Sequence, residues 1–160
     1  MHRDIIIRIA KPHDAPELVR LNTLFNGTRD TAGRLAARMA DPQRVDTAIV
    51  AEADGRIAGF ACLRVVPAVF YAAPQAELTE LCVEEAHRRL GLGHGLMLCA
   101  ERLARQAGAE ELLVLVNVGN GPAQALYRSL GFEDRDLALS KPLSQATERT
   151  LATNCTNGSG

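Results

Sequence analysis

Hydrophobic and polar positions follow two periods along the chain, and these periods predict both strands and helices. Short runs rich in β-branched and other apolar residues predict six strands, at Ile5–Ala10, Thr47–Ala53, Ile57–Val66, Glu77–Val83, Leu112–Asn117 and Asp136–Lys141. Apolar residues three and four positions apart predict four helices, at Asp14–Asn26, Asp30–Ala40, Leu96–Gln106 and Pro122–Leu130.

The order of these elements predicts the fold class. Asp54-Gly55 stands between two strands and favours a hairpin, so the middle of the chain predicts an antiparallel meander. The later strand–helix–strand unit predicts a parallel pair joined by a right-handed crossover. We therefore expect an α+β fold: one domain over residues 1–143, with a mixed, mostly antiparallel sheet of about six strands and helices on both faces. The last residues, Ser144–Gly160, are rich in Ser, Thr, Asn and Gly and predict a disordered tail.

Composition changes this picture little, but it argues against several classes of function. The 160 residues carry 18 Lys and Arg against 19 Asp and Glu, a net charge of −1, whereas nucleic-acid binding usually needs a basic face. No apolar stretch approaches the roughly 20 residues that cross a bilayer, and no secretion signal is present, so we expect a cytoplasmic protein without membrane contacts. Since no set of Cys and His residues has metal-ligand spacing, no metal site is expected, and the four cysteines are interpreted as buried thiols: Cys62, Cys82, Cys99 and Cys155.

The most informative segment is the glycine-rich stretch Arg88–Gly95, with the sequence RRLGLGHG. It joins a predicted strand to a predicted helix, and the first N–H groups of a helix have no partner within it. Glycines let an anion approach this backbone closely, and two arginines add positive charge, so the segment predicts a pyrophosphate site. The alternative is a purely structural turn, in which the glycines serve only to allow the backbone dihedral angles. A dinucleotide-binding dehydrogenase is disfavoured, because the glycine spacing differs from G-x-G-x-x-G.

A second segment, Asn120–Phe132, decides between these interpretations. Alone, Asn120 would be a helix cap and Tyr127 a packed aromatic residue. Together the two segments resemble the GNAT superfamily of acetyl-CoA-dependent N-acetyltransferases. The resemblance covers roughly Ile5–Leu143 and is most specific between Glu77 and Phe132. The matching patterns are Arg88-x-x-Gly91-x-Gly93, similar to that family's coenzyme A pyrophosphate motif, and Asn120-x-x-Ala123-x-x-Leu126-Tyr127-x-x-Leu130-Gly131-Phe132, similar to its second motif.

The resemblance implies acetyl-CoA as the cosubstrate and a particular way of holding it. The strands predicted at Glu77–Val83 and Leu112–Asn117 would splay apart, and the pantetheine arm would lie between them. Many family members have two strands after the Gly-Phe pair, whereas only Glu133–Lys141 is strand-like here, so we expect a reduced wall on the substrate side. The cofactor-binding residues implied are Leu81, Cys82, Val83, Arg88, Arg89, Leu90, Gly91, Leu92, Gly93, His94, Gly95, Asn120, Ala123 and Tyr127.

The resemblance also implies direct transfer of an acetyl group to a primary amine of a small molecule or peptide, within a ternary complex. Tyr127 is then the expected general acid beside the cofactor sulfur. Glu80 is the preferred general base, because it stands closest to the expected acetyl position, with Glu77 and water as alternatives. In a regular strand Glu77 and Glu80 point to opposite faces, so at most one faces the cleft unless a bulge intervenes.

The acceptor amine is not specified by the sequence. The expected pocket is lined by Asn22, Phe25, Asn26 and Arg29 from the first helix and its loop, and by Phe70 and Tyr71. A sensor that binds an acyl-coenzyme A without transferring the acyl group is the alternative function. The combination of Tyr127 with an acidic residue on the strand favours the enzyme. The oligomeric state is left open, with a homodimer as one option.

Overall fold

The computed structural model describes residues 4–143, so the predicted tail Ser144–Gly160 lies outside the described residues. The strands are β1 (Ile5–Ile9), β2 (Asp46–Ala53), β3 (Arg56–Val66), β4 (Gln75–Val83) and β5 (Leu112–Val114). The α-helices are α1 (Ala15–Asn26), α2 (Ala32–Ala40), α3 (Leu92–Gln106) and α4 (Gly121–Ser129). Two single 3₁₀ turns, Pro12–Asp14 and Glu85–His87, precede α1 and α3.

All five strands belong to one sheet in the order β1-β2-β3-β4-β5. The first four strands pair antiparallel and β5 pairs parallel to β4, which confirms the mixed, mostly antiparallel sheet. The structure has five strands rather than six among the described residues, because Asp136–Lys141 forms no strand. A sixth strand beyond β5 would have only a short edge to pair with, since β5 ends at Val114 and not at Asn117 as predicted.

Helix α3 begins four residues earlier than the sequence pattern predicts. Gly91 adopts φ +82°, a left-handed conformation that suits glycine, and occupies the N-cap position. Leu92 is therefore the first helical residue, and Gly93 lies within the first turn. The prediction placed the start at Leu96 because glycine is a poor helix former, but the buried side chains of Leu92 and Leu96 hold this turn against the sheet.

The sheet carries an apolar layer on each face, as predicted. On one face, α3 packs against the sheet through a cluster that includes Leu96, Met97 and Ala100. On the other face, Leu18 and Leu21 of α1 pack against Val50, Ile57 and Phe60, and α2 adds Leu35 and Met39 at the margin.

A bulge interrupts the pairing of β3 with β4. Cys62 pairs with Glu80 and its neighbour Leu63 pairs with Leu78, so Thr79 is the extra residue. A bulge adds one residue to one strand, and every side chain beyond it changes face relative to a regular strand. The Thr79 hydroxyl donates to the Cys62 carbonyl at 3.3 Å, which ties the extra residue to β3.

Two sets of ion pairs fasten α1 to the sheet. The Arg8 guanidinium of β1 contacts Asp14 at 2.7 Å and Glu52 at 2.5 Å. Asp14 is 5% exposed, and the hydrogen bond from Arg8 holds the pKa of this carboxyl below its ordinary value against the opposing effect of burial. Farther along α1, Arg20 contacts Glu84 at 2.6 Å, directly after β4 ends. No helix within residues 4–143 is both long enough and apolar enough to cross a membrane.

Gly59 of β3 is predicted to be intolerant of even one added methyl group. A Cβ built there would lie 2.8 Å from the Cys82 carbonyl oxygen, and this backbone atom cannot move without displacing the end of β4. We expect Gly59→Ala to lower the free energy of unfolding by about 1–3 kcal/mol in urea denaturation. Gly33→Ala in α2 is the matched control: its Cβ meets no atom within 4 Å, so stability should rise by up to about 1 kcal/mol. Equal stability of Gly59→Ala and the parent protein would contradict the close approach.

Candidate active site

Strands β4 and β5 pair over a short stretch and then diverge. They pair at Ala76 with Leu112, at Glu77 with Leu113 and at Leu78 with Val114, and the pairing ends there. On its other edge β4 remains paired with β3 as far as Val83. The backbone of β4 beyond Leu78 thus presents N–H and C=O groups without a strand partner on the β5 side. Such groups need hydrogen-bond partners, and a ligand with amides and carbonyls could supply them.

The start of α3 lies directly beyond the open end of β4. The first internal hydrogen bond of this helix runs from the Gly95 N–H to the Gly91 carbonyl at 2.9 Å. The N–H groups of Leu92, Gly93 and His94 therefore point out of the helix start, where the helix dipole adds partial positive charge. The exposed side chain of Arg88 bends back and donates to the Val83 carbonyl at 3.3 Å. This turn can hold an anion against three backbone amides.

Gly95 has a packing role in addition to its place in the motif. A Cβ at this position would lie 3.0 Å from Cγ1 of Ile7, so the missing side chain lets α3 approach β1 closely. Its N–H group is already bonded to Gly91. A Cβ at Gly93 would face the space between Val83 and Leu126, 3.9 and 4.0 Å away. Of these two glycines, Gly93 is the one that borders the gap between β4 and α4.

The second motif forms α4 and the turn before it. The Asn120 side chain caps the helix by accepting from the Ala123 N–H at 3.2 Å. Gln124 donates to the carbonyls of Asn117 and Val118 at 3.1 and 2.9 Å, which fixes the chain that leaves β5. These bonds set the position from which α4 presents Tyr127.

The Tyr127 phenol is partly buried and retains its proton. Its ring packs edge-on against Phe132, with centroids 5.6 Å apart. Burial raises the pKa of Tyr127, and the negative charges that Cys82 and Glu80 can carry raise it further. A phenol in this setting acts as a hydrogen-bond donor and proton donor rather than as a base.

The bulge at Thr79 places Glu77 and Glu80 on the same face of β4. Glu77 stands opposite Arg64 and Glu80 opposite Cys62, whereas Leu78 stands between them on the α3 face with Leu63. The odd spacing that would separate the two glutamates in a regular strand is cancelled by the extra residue. Both carboxylates therefore belong to the α1 face, and Glu80 Oε2 accepts from Asn26 Nδ2 at 3.1 Å.

These features are typical of one family. The model of the acetyltransferase (GNAT) family matches residues 16–132. The chain belongs to the GNAT acetyltransferase family. The match covers α1 and both sequence motifs, and the parted strands and the glycine turn agree with what the resemblance implied.

Similar proteins support this assignment and differ in their names. A mycothiol acetyltransferase of Clavibacter michiganensis is 37% identical over 129 residues, which are 76% of this chain and 40% of that protein. A mycothiol acetyltransferase of Saccharomonospora viridis is 39% identical over 84 residues, 51% of this chain and 28% of that protein. The chain thus spans less than half the length of these relatives. The solved structure of an aminoglycoside N-acetyltransferase in complex with CoA has a TM-score of 0.78, 20% identity, and coverage of 89% of this chain and 96% of its own, which shows a shared fold.

Cys82 lies on the α1 face of this GNAT site, next to Glu80 in the open part of β4. Burial raises the pKa of the Cys82 thiol to about 11, with a contribution from the negative charge of Glu80. At neutral pH the thiol is protonated, and a thiol is a far weaker nucleophile than a thiolate. Cys82 is therefore poorly suited to act as a nucleophile. Cys99 is a buried thiol, as predicted, whereas Cys62, like Cys82, is only partly buried, and Cys155 lies outside the described residues.

The structure brings some of the residues predicted to bind substrate to Glu80 and leaves others apart. Asn22 and Asn26 lie beside it on α1, but they are hydrogen-bonded to one another. Phe25 packs against the apolar cluster that Leu18 and Leu21 form with the sheet. The pair Phe70 and Tyr71, 91% and 71% exposed, belongs to the loop before β4, at the end of the strand away from the glycine turn.

Two features of this site lie outside the sequence predictions. The bulge at Thr79 has no sequence signature, since threonine is a common strand residue. Thr28, which accepts from Asn22 at 2.6 Å, follows an Asn-Gly pair that marks only the end of a helix. Within residues 4–143 no group of three or more His, Cys, Asp or Glu side chains is arranged to hold a metal ion.

A recess of about 500 Å³ lies elsewhere on the molecule, beside the β2–β3 turn. Its charged side chains pair with one another, as the contacts of Arg8 with Asp14 and Glu52 show. It is separate from the open edge of β4 and carries neither motif. The lining residues are Arg8, Asp14, Glu17, Glu52, Gly55, Arg56 and Ile57.

The first test of the site concerns Gly93. An added side chain fits the protein itself, because its Cβ makes only ordinary contacts with Val83 and Leu126. It would occupy the border of the gap where the pyrophosphate is expected. Gly93→Val should therefore fold normally and bind acetyl-CoA roughly tenfold or more weakly in isothermal titration calorimetry. Gly33→Val, on an open face of α2, is the control and should bind as the parent does. Unchanged affinity of folded Gly93→Val would remove the glycine turn from the cofactor site.

Proposed function

We propose that this protein transfers the acetyl group of acetyl-CoA directly to a primary amine of a small molecule or peptide. One observation carries the proposal, the surroundings of the five β4 residues that have no partner on the β5 side. The open start of α3 lies beyond the end of this stretch, the Tyr127 phenol lies beside it, and Glu80 belongs to it. A site for the acetyl donor, a proton donor and a proton acceptor are thus close together.

The cofactor site follows from the backbone groups that lack partners. The amides of Leu92, Gly93 and His94 would receive the pyrophosphate, with Arg88 or Arg89 adding positive charge. The amide and carbonyl groups of the pantetheine arm would pair with the backbone of β4 at Leu81, Cys82 and Val83. In this arrangement the thioester ends near the bulge, beside Glu80 and within reach of Tyr127.

The reaction needs one base and one acid. The acceptor must lose a proton, because an ammonium group has no lone pair with which to attack the thioester carbon. Glu80 takes one proton from the ammonium group, which frees the lone pair for attack. As the C–N bond forms and the C–S bond breaks, Tyr127 gives its proton to the departing thiolate, and the second proton on the nitrogen passes to solvent. Both residues then return to their starting states by exchange with solvent. The raised pKa of Tyr127 keeps the phenol protonated before the reaction, and because a thiolate is a weaker base than this phenolate, the proton must transfer in concert with C–S cleavage.

Position supports Glu80 over Glu77 as the proposed base, although both lie on the α1 face. Glu77 stands in the part of β4 that is still paired with β5, opposite Leu113. Glu80 stands beyond the last pair, where the strand edge is open. Only a carboxylate in the open part can lie next to an acetyl group held between the parted strands.

The acceptor belongs to the class of primary amines, and its identity calls for a direct screen. The similar proteins named above carry mycothiol or an aminoglycoside in their names, so the names do not point to one acceptor. We expect acetyl-CoA to raise the melting temperature of the protein and NAD to leave it unchanged. Release of free thiol with spermidine, kanamycin, amino acids or short peptides would establish catalysis. Thermal protection by acetyl-CoA without thiol release from any amine would favour the sensor instead.

Tyr127→Phe tests the general acid. The substitution keeps the ring and its packing on Phe132 and removes only the hydroxyl. Turnover should fall by roughly 10²- to 10⁴-fold while the Kd for acetyl-CoA changes little. The measurement needs an acceptor for which chemistry limits the rate. Turnover equal to that of the parent would leave Tyr127 with a packing role alone.

Glu80→Gln and Glu77→Gln form a matched pair that tests the base. Glutamine keeps the size of the side chain and removes its basicity. The rate of Glu80→Gln should fall most at low pH and recover in part at high pH, where the amine loses its proton unaided. Glu77→Gln should show neither effect in the same pH–rate profiles. The reverse pattern would assign the base to Glu77, and flat profiles for both would assign the proton to water and catalysis to positioning.

A further inference from the structure

We infer that Asn26 is a positioning residue for Glu80 and that Asn22 and Thr28 fix its orientation. Asn26 Nδ2 donates to Glu80 Oε2 at 3.1 Å and to Asn22 Oδ1 at 2.7 Å. Asn22 Nδ2 in turn donates to the Thr28 hydroxyl at 2.6 Å. The inference rests on the proposed role of Glu80 and changes the expected role of both asparagines, from contacting the acceptor to holding the base.

The four side chains form a chain of hydrogen bonds in which donation runs outward from the Asn26 amide, to Glu80 on one side and through Asn22 to Thr28 on the other. An ionised carboxylate only accepts hydrogen bonds, so Asn26 must turn its NH₂ group toward Glu80. The second hydrogen of that group needs an acceptor, and Asn22 supplies its oxygen. Asn22 then presents its own NH₂ group to Thr28. Flipping the Asn26 amide would place its oxygen against the carboxylate, which is repulsive.

The last turn of α1 holds this chain in place. Asn26 is the final residue of the helix, and Gly27 continues the chain at φ +64°. This turn brings Thr28 back over α1, where its carbonyl accepts from the Thr23 hydroxyl at 2.9 Å. Asn22 and Asn26 are four residues apart and so share one helix face. The helix end therefore presents a donor of fixed orientation to β4.

A neutral hydrogen-bond donor leaves a carboxylate base more basic than a neighbouring cation would. Among residues 4–143, Glu80 forms no ion pair, whereas Glu84 is paired with Arg20 and Asp46 with Arg64. An arginine would hold the carboxylate but also stabilise its charged form strongly and reduce its basicity. An amide restricts the side chain at a smaller cost in basicity. A free glutamate side chain has several rotamers, and the amide selects one.

The ionisable groups around Glu80 allow a pH profile to be interpreted. Cys62 on β3, Cys82 on β4 and Tyr127 on α4 all have pKa values raised by burial, so they stay neutral through the acid range. Glu77 shares the face of Glu80, and the nearby Arg64 is paired with Asp46. In a Glu77→Gln background, the fall of the rate on the acid side of the pH–rate profile therefore reports on the protonation of Glu80.

The experiment removes the donor and measures Glu80 itself. Asn26→Leu, Asn26→Gln and Thr28→Val are made in the Glu77→Gln background. The side-chain carboxyl of Glu80 is titrated by ¹³C NMR in each, with Glu80→Gln for assignment. Because the amide donates only to the ionised carboxylate, its loss in Asn26→Leu should move the titration midpoint upward. Thr28→Val should cause a smaller shift in the same direction, and Asn26→Gln should recover part of it. An unchanged midpoint in Asn26→Leu would overturn the inference.

Steady-state kinetics supply the second readout, with each amine of the screen that is acetylated. Asn26→Leu should lower kcat by roughly tenfold, move the acid limb to higher pH and leave the KM for the amine nearly unchanged. In the Glu80→Gln background Asn26→Leu should have no further effect. A raised KM that persists without Glu80 would return Asn26 to acceptor binding and overturn the inference. If no amine is acetylated, the proposed function fails while the titration still decides the hydrogen bond.

Discussion

The parting of β4 from β5 is the constraint on which the site depends. A strand inside a sheet normally satisfies both of its edges, yet β4 is fully paired with β3 and meets β5 over only three residue pairs. Contacts on the β3 side help to hold it there. Gly59 leaves room for the Cys82 carbonyl at close range, the Glu84 N–H donates to the Ala58 carbonyl at 2.8 Å, and Arg20 binds the Glu84 carboxylate. The end of β4 is thus tied to β3 and α1, while β5 turns away into the capped start of α4.

The bulge at Thr79 then decides which side chains meet at the open edge. Without it, Glu80 would share the α3 face with Leu78, where an ionised carboxylate is costly, and Leu81 and Val83 would turn away from the α3 core. With it, Glu80 and Cys82 share the α1 face, and their apolar neighbours Leu81 and Val83 pack on the α3 side. One extra residue thus reconciles an apolar core on one face with an acidic residue on the other.

The sequence predicts the motifs and the layers of this fold well, but not their local geometry. Gly91 and Gly93, the cap at Asn120 and the Asp54-Gly55 hairpin are short-range patterns whose physical meaning does not depend on distant contacts. The start of α3 depends on the burial of Leu92 against the sheet, and the missing last strand depends on the short length of β5. The bulge allows one strand to present apolar side chains to one face and acidic side chains to the other, and no short sequence pattern predicts it. The roles of Asn22 and Asn26 depend on Thr28 and Glu80, which only the folded chain brings together.

The proposed acid and the proposed base are distinguished by their surroundings rather than by their chemistry alone. Tyr127 lies partly buried at the gap, and burial favours its neutral form because a charge loses its hydration there. Glu80 lies on the α1 face of β4, with an amide as its hydrogen-bond partner. A neutral phenol and a carboxylate are therefore both available at the same pH. A carboxylate in the position of Tyr127 would meet the same desolvation and resist ionisation, and a phenol in the position of Glu80 would be too weak a base at neutral pH. The division of roles follows from which side of β4 each group occupies.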